Sequence, residues 1–271
     1  MKHVRGLDSE PALLNAYCAD HLVELARPAI EAGRVWANFK NETKAYAQLL
    51  ELLKQRQQGL CLYCEQRLVN SAGELVFNDY QVEHVLAKSG ATSRVLDWTN
   101  LGLACGGGCY PHHGDESRKY TSKASNSCGQ TKENKDLPVA CDPRTFPLIN
   151  AVTRVTIEGR VVPHIPNCKT AGIASNNLVD AIALTNLDCE RLRLTRQKKG
   201  DSLRSWFEEI LREIAGSEVT KEEKFAKLSQ VISSQLAPDE IGALQPFWST
   251  LRSNLGEPAE RWIDNRIDLF T

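Results

Sequence analysis

Residues 81–109 read QVEHVLAKSGATSRVLDWTNLGLACGGGC. Period-two alternation through QVEHVL makes a short strand, with Val82, His84 and Leu86 on one face and Glu83 on the other. Lys88-Ser89-Gly90 closes that strand, Asp97-Trp98-Thr99-Asn100-Leu101 leads out of the following loop, and Cys105 and Cys109 bracket a run of glycine. A histidine beside a carboxylate, an asparagine and two cysteines in one stretch admit three readings. The stretch is a reactive centre, a zinc knuckle that only holds the fold, or a strand and loop of ordinary composition.

Upstream, Cys61-Leu62-Tyr63-Cys64 has the C-x2-C spacing that lets two thiolates on a tight turn face one tetrahedral metal. A second pair must come from Cys105, Cys109 and Cys128. Cys105 follows NLGLA directly, and Cys128 opens CGQTKENK, which reads as a helix start after an insertion rich in Gly, His and Ser. Cys109, His112 and His113 lie inside that insertion. The favoured zinc set is Cys61, Cys64, Cys105 and Cys128, with Cys109 as the alternative to one of the last two. Cys141, Cys168 and Cys189 show no pairing pattern and read as plain thiols.

Outside this region the periodicity is mostly helical. Leu14, Tyr17, Cys18, His21, Leu22 and Leu25 recur at three- and four-residue spacing after Ser9-Glu10-Pro11, which makes Cys18 and His21 core residues. Thr43 to Gln58 carries the stripe Tyr46, Leu49, Leu50, Leu53 and stops at Gly59. RVTIEGRVVPHIP is a hairpin signal about Glu158-Gly159. Beyond it, NNLVDAIALTNLDCERLRLTRQ predicts one helix or two, Ser202 to Ile214 another, and Thr220-Lys221-Glu222-Glu223 a capping box, with a last short helix around Trp262 and Ile267.

With 271 residues, 42% hydrophobic and 25% charged, the chain has a globular composition of one or two domains. The balance of 33 Lys+Arg against 34 Asp+Glu leaves no global positive field, so nucleic-acid binding must be local or shared with a partner. The 9 cysteines, an odd number without an export signal, argue for metal ligands or buried thiols over disulfides. No apolar run approaches the roughly 18 to 20 residues of a membrane span, and MKHVR is followed by Asp8 and Glu10. A cytoplasmic location without membrane attachment is expected.

The order CLYC, VEHVLAKS, LDWTNLGLAC and CGQTKENKDLP resembles the HNH family of ββα-metal nucleases, specifically the PtuB-like subunit of Septu and retron-linked antiphage systems. The likeness extends to VRGLDSEPALL and ALTNLDCERLRLTR. It implies His84 as the general base that activates water, Asn100 as the residue that orients the catalytic loop, and Glu83 as an acidic position that helps bind a catalytic Mg²⁺ or Mn²⁺. The family's Asn or His directly after the last cysteine is Gly129 here. The third ligand is then open among His113, Asn134 and Lys132, with Gln130 and Asn134 four apart on one helix face and Lys132 alternatively a phosphate contact.

The fold expected is α+β: an N-terminal helical segment (1–58), a zinc-bound ββα-metal core (59–147), and a β-hairpin with a C-terminal helical region (148–271) for partner docking. ERLRLTRQKKGDSLR gathers Arg191, Arg193, Arg196, Lys198, Lys199 and Arg204 into a candidate nucleic-acid patch. The chain has no Walker motif. The resemblance implies a PtuA-like ATPase partner and, in retron systems, a reverse transcriptase with its RNA–DNA product, acting on DNA or RNA. The competing reading is a non-catalytic zinc-ribbon adaptor, for which Gly129 is the best support.

Overall fold

The computed structural model describes residues 1–270, Thr92 by its backbone alone. Helices α1 (Ala12–Asp20), α2 (Leu22–Leu25), α3 (Ala32–Asn41) and α4 (Thr43–Arg56) precede an antiparallel pair, β1 (Tyr80–His84) and β2 (Leu101–Cys105), and a one-turn helix α5 (Gly129–Lys132). A second antiparallel pair, β3 (Thr153–Val155) and β4 (Val161–Pro163), leads into α6 (Ile165–Thr170), α7 (Ser175–Leu184), α8 (Glu190–Gly216), α9 (Lys221–Leu236), α10 (Trp248–Leu255) and α11 (Glu257–Asp264). This is an α+β chain with two small sheets. Among the described residues, no helix is long and apolar enough to cross a membrane.

Two apolar cores hold it together. The first joins Leu14, Phe39, Leu49 and Leu53 of the N-terminal helices to Leu62, Leu101 and Leu103 around the first sheet, and to Leu178 and Leu192 of α7 and α8. The second joins Leu203 and Phe207 of α8 to Ile232, Leu236, Trp248, Leu251 and Trp262. Helix α8 runs through both cores, so the helical region is fixed relative to the first sheet by one continuous rod.

Several local expectations change in detail. The first helical stripe is broken at His21, which stacks on Tyr17 at 3.9 Å; only Leu14 and Tyr17 of the α1 face are buried, and Leu22 is exposed. The NNLVDAIALTNLDCERLRLTRQ stretch divides into α7 and α8, and α8 absorbs the helix expected from Ser202 to Ile214. Gly200 does not break α8 because it is the point of close approach to α10: a Cβ there would lie 3.0 Å from Asn254 Nδ2. Thr220 and Glu223 form the capping box. In the β3–β4 turn Gly159 has φ +78°, and a Cβ there would meet the Arg193 carbonyl oxygen of α8.

Candidate active site and metal centres

The sulfurs of Cys61, Cys64, Cys105 and Cys128 lie within 4.8 Å of one another, all four residues buried. The Cys64–Cys105, Cys105–Cys128 and Cys61–Cys128 separations are 3.6, 3.7 and 3.9 Å. A zinc tetrathiolate with Zn–S bonds of ~2.3 Å has tetrahedral edges of about 3.8 Å, so the donor set fits a structural Zn²⁺. The chain builds this arrangement from three places. Cys61 and Cys64 sit on a turn whose Leu62 N–H donates to the Leu103 carbonyl at 2.8 Å, Cys105 ends β2, and Cys128 precedes α5 with its N–H on the Thr185 carbonyl at 2.7 Å. The Cys105 N–H donates to the Cys61 sulfur at 3.2 Å, as expected of a thiolate ligand held by its surroundings. Cys109 is half-buried and outside the cluster, which excludes it from the set. Cys141, Cys168 and Cys189 are buried single thiols whose pKa values burial raises.

Glu83 and His84 end β1, opposite Gly102 and Leu101 of β2. Both side chains are buried, on opposite sides of the strand pair. His84 Nε2 is 2.9 Å from the Val95 carbonyl oxygen, and the Trp36 ring of α3 packs edge-on at 4.8 Å. Burial lowers the His84 pKa to about 4, against the opposing pull of the Val95 hydrogen bond. Asn100 ties down the chain after β1: its Oδ1 accepts from Leu86 N–H at 2.7 Å and its Nδ2 donates to the carbonyls of Leu86 and Arg94 at 2.8 and 3.2 Å.

On the other side, Glu83 Oε1 lies 3.0 Å from Lys132 Nζ and accepts from Tyr63 Oη at 3.2 Å. Burial raises the Glu83 pKa, and the Lys132 ammonium opposes that shift. Lys132 is 1% exposed and also donates to the His84 and Lys135 carbonyls at 3.0 and 2.9 Å. It is therefore an internal counter-ion of Glu83, neither a solvent-facing phosphate contact nor a metal ligand. A Cβ at Gly129 would lie 2.3 Å from Glu83 Oε2 and 2.5 Å from Gln81 Nε2. The glycine that replaces the expected ligand leaves the space that the Glu83 carboxylate fills.

The helix after Cys128 is a single turn that ends where Glu133 takes φ +52°, so Gln130 and Asn134 do not share a helix face. Gln130 donates to Gln81 Oε1 at 2.7 Å, and Asn134 lies exposed beyond the helix. His113 is not beside Glu83 either. Its Nε2 lies 3.1 Å from Asp79 Oδ2, just before β1, and the four-residue rise from Asp79 to Glu83 is about 13 Å. Among the described residues, no third His, Cys, Asp or Glu joins Glu83 and His84 as a metal-binding group.

The basic run also resolves differently. Arg196 is buried, donating to the Gly159 and Leu187 carbonyls at 3.1 and 2.8 Å, and Arg191 donates to the Ser125 and Gly107 carbonyls, both at 2.8 Å. Arg204 pairs with Asn254 and Asp201. Lys199 is half-buried, which lowers its pKa, and Lys198 is exposed. Within the run, Arg191 braces the insertion and Arg196 the hairpin, so these two guanidinium groups are engaged internally. Sequence reasoning missed Asp79, Tyr63 and Trp36; the adjacent histidines 112 and 113 were the available signal for the first.

No family model matches the chain. It is 27% identical over 184 residues, 60% of this chain and 69% of the relative, to an Escherichia coli protein that carries the provisional name of retron Ec83 HNH endonuclease. That is a distant similarity, and it supports an HNH endonuclease family.

Proposed function

We propose that the protein is an HNH-type endonuclease that cuts nucleic-acid phosphodiester bonds as the toxic effector of a retron- or Septu-type antiphage system. The observation that carries this reading is the His84 ring. Its Nε2–H donates to the Val95 carbonyl at 2.9 Å, which leaves the lone pair on Nδ1. With a pKa pushed down to about 4 by burial, the ring is neutral at pH 7, the protonation state from which a general base must start. Asn100 holds the Leu86–Arg94 loop against the strand end, which keeps that ring oriented. The similarity to a retron-associated nuclease supports the same class.

The residues present fit a structural Zn²⁺ at the four cysteines, where it would tie β2 to the turn at Cys61 and to α5. They do not fit the Mg²⁺ or Mn²⁺ expected at Glu83. That carboxylate is paired with Lys132, and Gly129 supplies no second ligand. Ion binding at Glu83 would require Lys132 to withdraw first.

In this reading residues 59–147 are the nuclease core. Residues 1–58 cover His84 through Trp36, and 148–271 carry the docking surface for a PtuA-like ATPase and, in retron systems, a reverse transcriptase with its RNA–DNA. The burial of both Glu83 and His84 favours one second reading, a zinc-stabilised adaptor that binds nucleic acid or protein without cutting. Incubating zinc-loaded protein with DNA and RNA pools, alone and with its co-expressed ATPase, separates the two. A nuclease cuts one pool and loses cutting in His84→Ala, whereas an adaptor binds and never cuts.

A further inference from the structure

We infer that Asp79, His112 and His113 form a second transition-metal site, separate from the four cysteines and from Glu83. Asp79 Oδ2 is 3.2 Å from His112 Nδ1 and 3.1 Å from His113 Nε2. A first-row ion bound at ~2.0–2.1 Å by nitrogen and oxygen in tetrahedral geometry sets donor edges of about 3.3 Å. Both edges from Asp79 match that spacing, and the donor atoms of all three residues lie within 4.8 Å of one another. Two imidazoles and a carboxylate are the donor set of a borderline divalent ion such as Zn²⁺, Co²⁺ or Fe²⁺, and a poor one for Mg²⁺, which prefers oxygen.

The donors are held in place by the backbone as well as by each other. Asp79 is buried, and both of its oxygens accept the His113 backbone N–H, at 2.9 and 3.0 Å. Its own carbonyl accepts the Gly106 N–H at 3.1 Å. His113 adopts φ +52°, which turns its ring back toward Asp79 with the His112 ring centroid 4.4 Å away. A cavity of about 40 Å³, lined in part by Asp79, His112, Gly106 and Arg118, adjoins the cluster and has room for an ion's remaining water ligand. The His113 side chain is 37% exposed, so the cluster can be reached from solvent. An ion here would staple the insertion that follows Cys105 to the start of β1. The inference does not depend on the nuclease reading, since Glu83 and His84 lie at the other end of the strand.

The test is titration of zinc-loaded full-length protein with Co²⁺ alone. The expected result is one further ion per chain, giving visible ligand-field bands without the near-ultraviolet band of thiolate coordination. His113→Asn, which tolerates the left-handed backbone, and the near-isosteric Asp79→Asn each weaken that binding at least ~10-fold, with zinc content unchanged. Glu83→Gln leaves it as in the wild type. Absence of the second ion, or cobalt binding that persists at wild-type strength in His113→Asn, overturns the site whether or not the protein cuts nucleic acid.

Discussion

Lys132 Nζ lies 3.0 Å from Glu83 Oε1, with both residues buried between α5 and β1. An ammonium thus stands beside the carboxylate that a ββα-metal nuclease would offer to a divalent ion. Removing one partner of a buried pair leaves the other charge without compensation, at a cost of ~3–5 kcal/mol. Lys132→Met should lose about that much stability in urea unfolding of the zinc-loaded protein. Adding Glu83→Gln should recover part of it. A single-variant loss below ~1 kcal/mol would show that the pair is not formed in solution.

Gly129 is the second half of the same relationship. Because a Cβ there would lie 2.3 Å from Glu83 Oε2, Gly129→Ala must shift the carboxylate, whose other oxygen meets Lys132 and Tyr63. The expected loss is ~1–3 kcal/mol, the usual range for overpacking. In a Glu83→Ala background the same substitution should cost much less, leaving mainly the Gln81 contact, and a double-mutant cycle reads the difference. Equal losses in both backgrounds would contradict the crowding.

The His84 pKa gives a pH prediction. Burial holds it near 4, below the ordinary histidine value of 6.5, so the unfolded chain binds the extra proton first. Stability contributed by the neutral ring is fully present above about pH 6.5 and is lost as pH falls toward about 4. The difference in unfolding free energy between wild type and His84→Gln should therefore be flat from pH 8 to 6.5 and shrink by a few kcal/mol at most toward pH 4. In cleavage, no acidic limb should appear between pH 8 and 6; a limb centred near 6.5 would mean that the ring is solvated.

Zinc should couple the three segments that supply its ligands. Chelation, or Cys64→Ser, is expected to lower Tm by more than about 10 °C, since structural zinc sites contribute their binding energy to folding. Hydrogen exchange should rise in residues 60–66, 101–106 and 128–132, while the amides of α9 and α10 keep more of their protection. Uniform loss across both cores would mean that they are a single cooperative unit.

What could be read in the sequence was what short spacing encodes. Cys61-x2-Cys64 and the positions of Cys105 and Cys128 give the four-cysteine cluster, and Thr220 with Glu223 gives a helix start, because each depends on residues close together or on a known donor count. Lys132 was not legible as a counter-ion, since its partner comes from β1, far off in the chain, and a lysine in a short polar helix looks equally like a phosphate contact. Arg196 misled for the same reason: its guanidinium caps carbonyls of the hairpin and of the turn before α8. Helix α10 escaped because it is only two turns long and buries Ser249, Thr250 and Arg252, polar residues that the sequence would place on a solvent face. Helix α3, which brings Trp36 to His84, also went unread.

Everything proposed for the reaction rests on His84 acting as the general base toward a phosphodiester. The decisive measurement is single-turnover cleavage of the DNA and RNA pools by His84→Gln and by the wild type, with the proposed ATPase partner present and zinc content matched. Cleavage should fall by at least ~100-fold while nucleic-acid binding is retained, the usual scale for removing a general base. Cleavage by His84→Gln at the wild-type rate would contradict it.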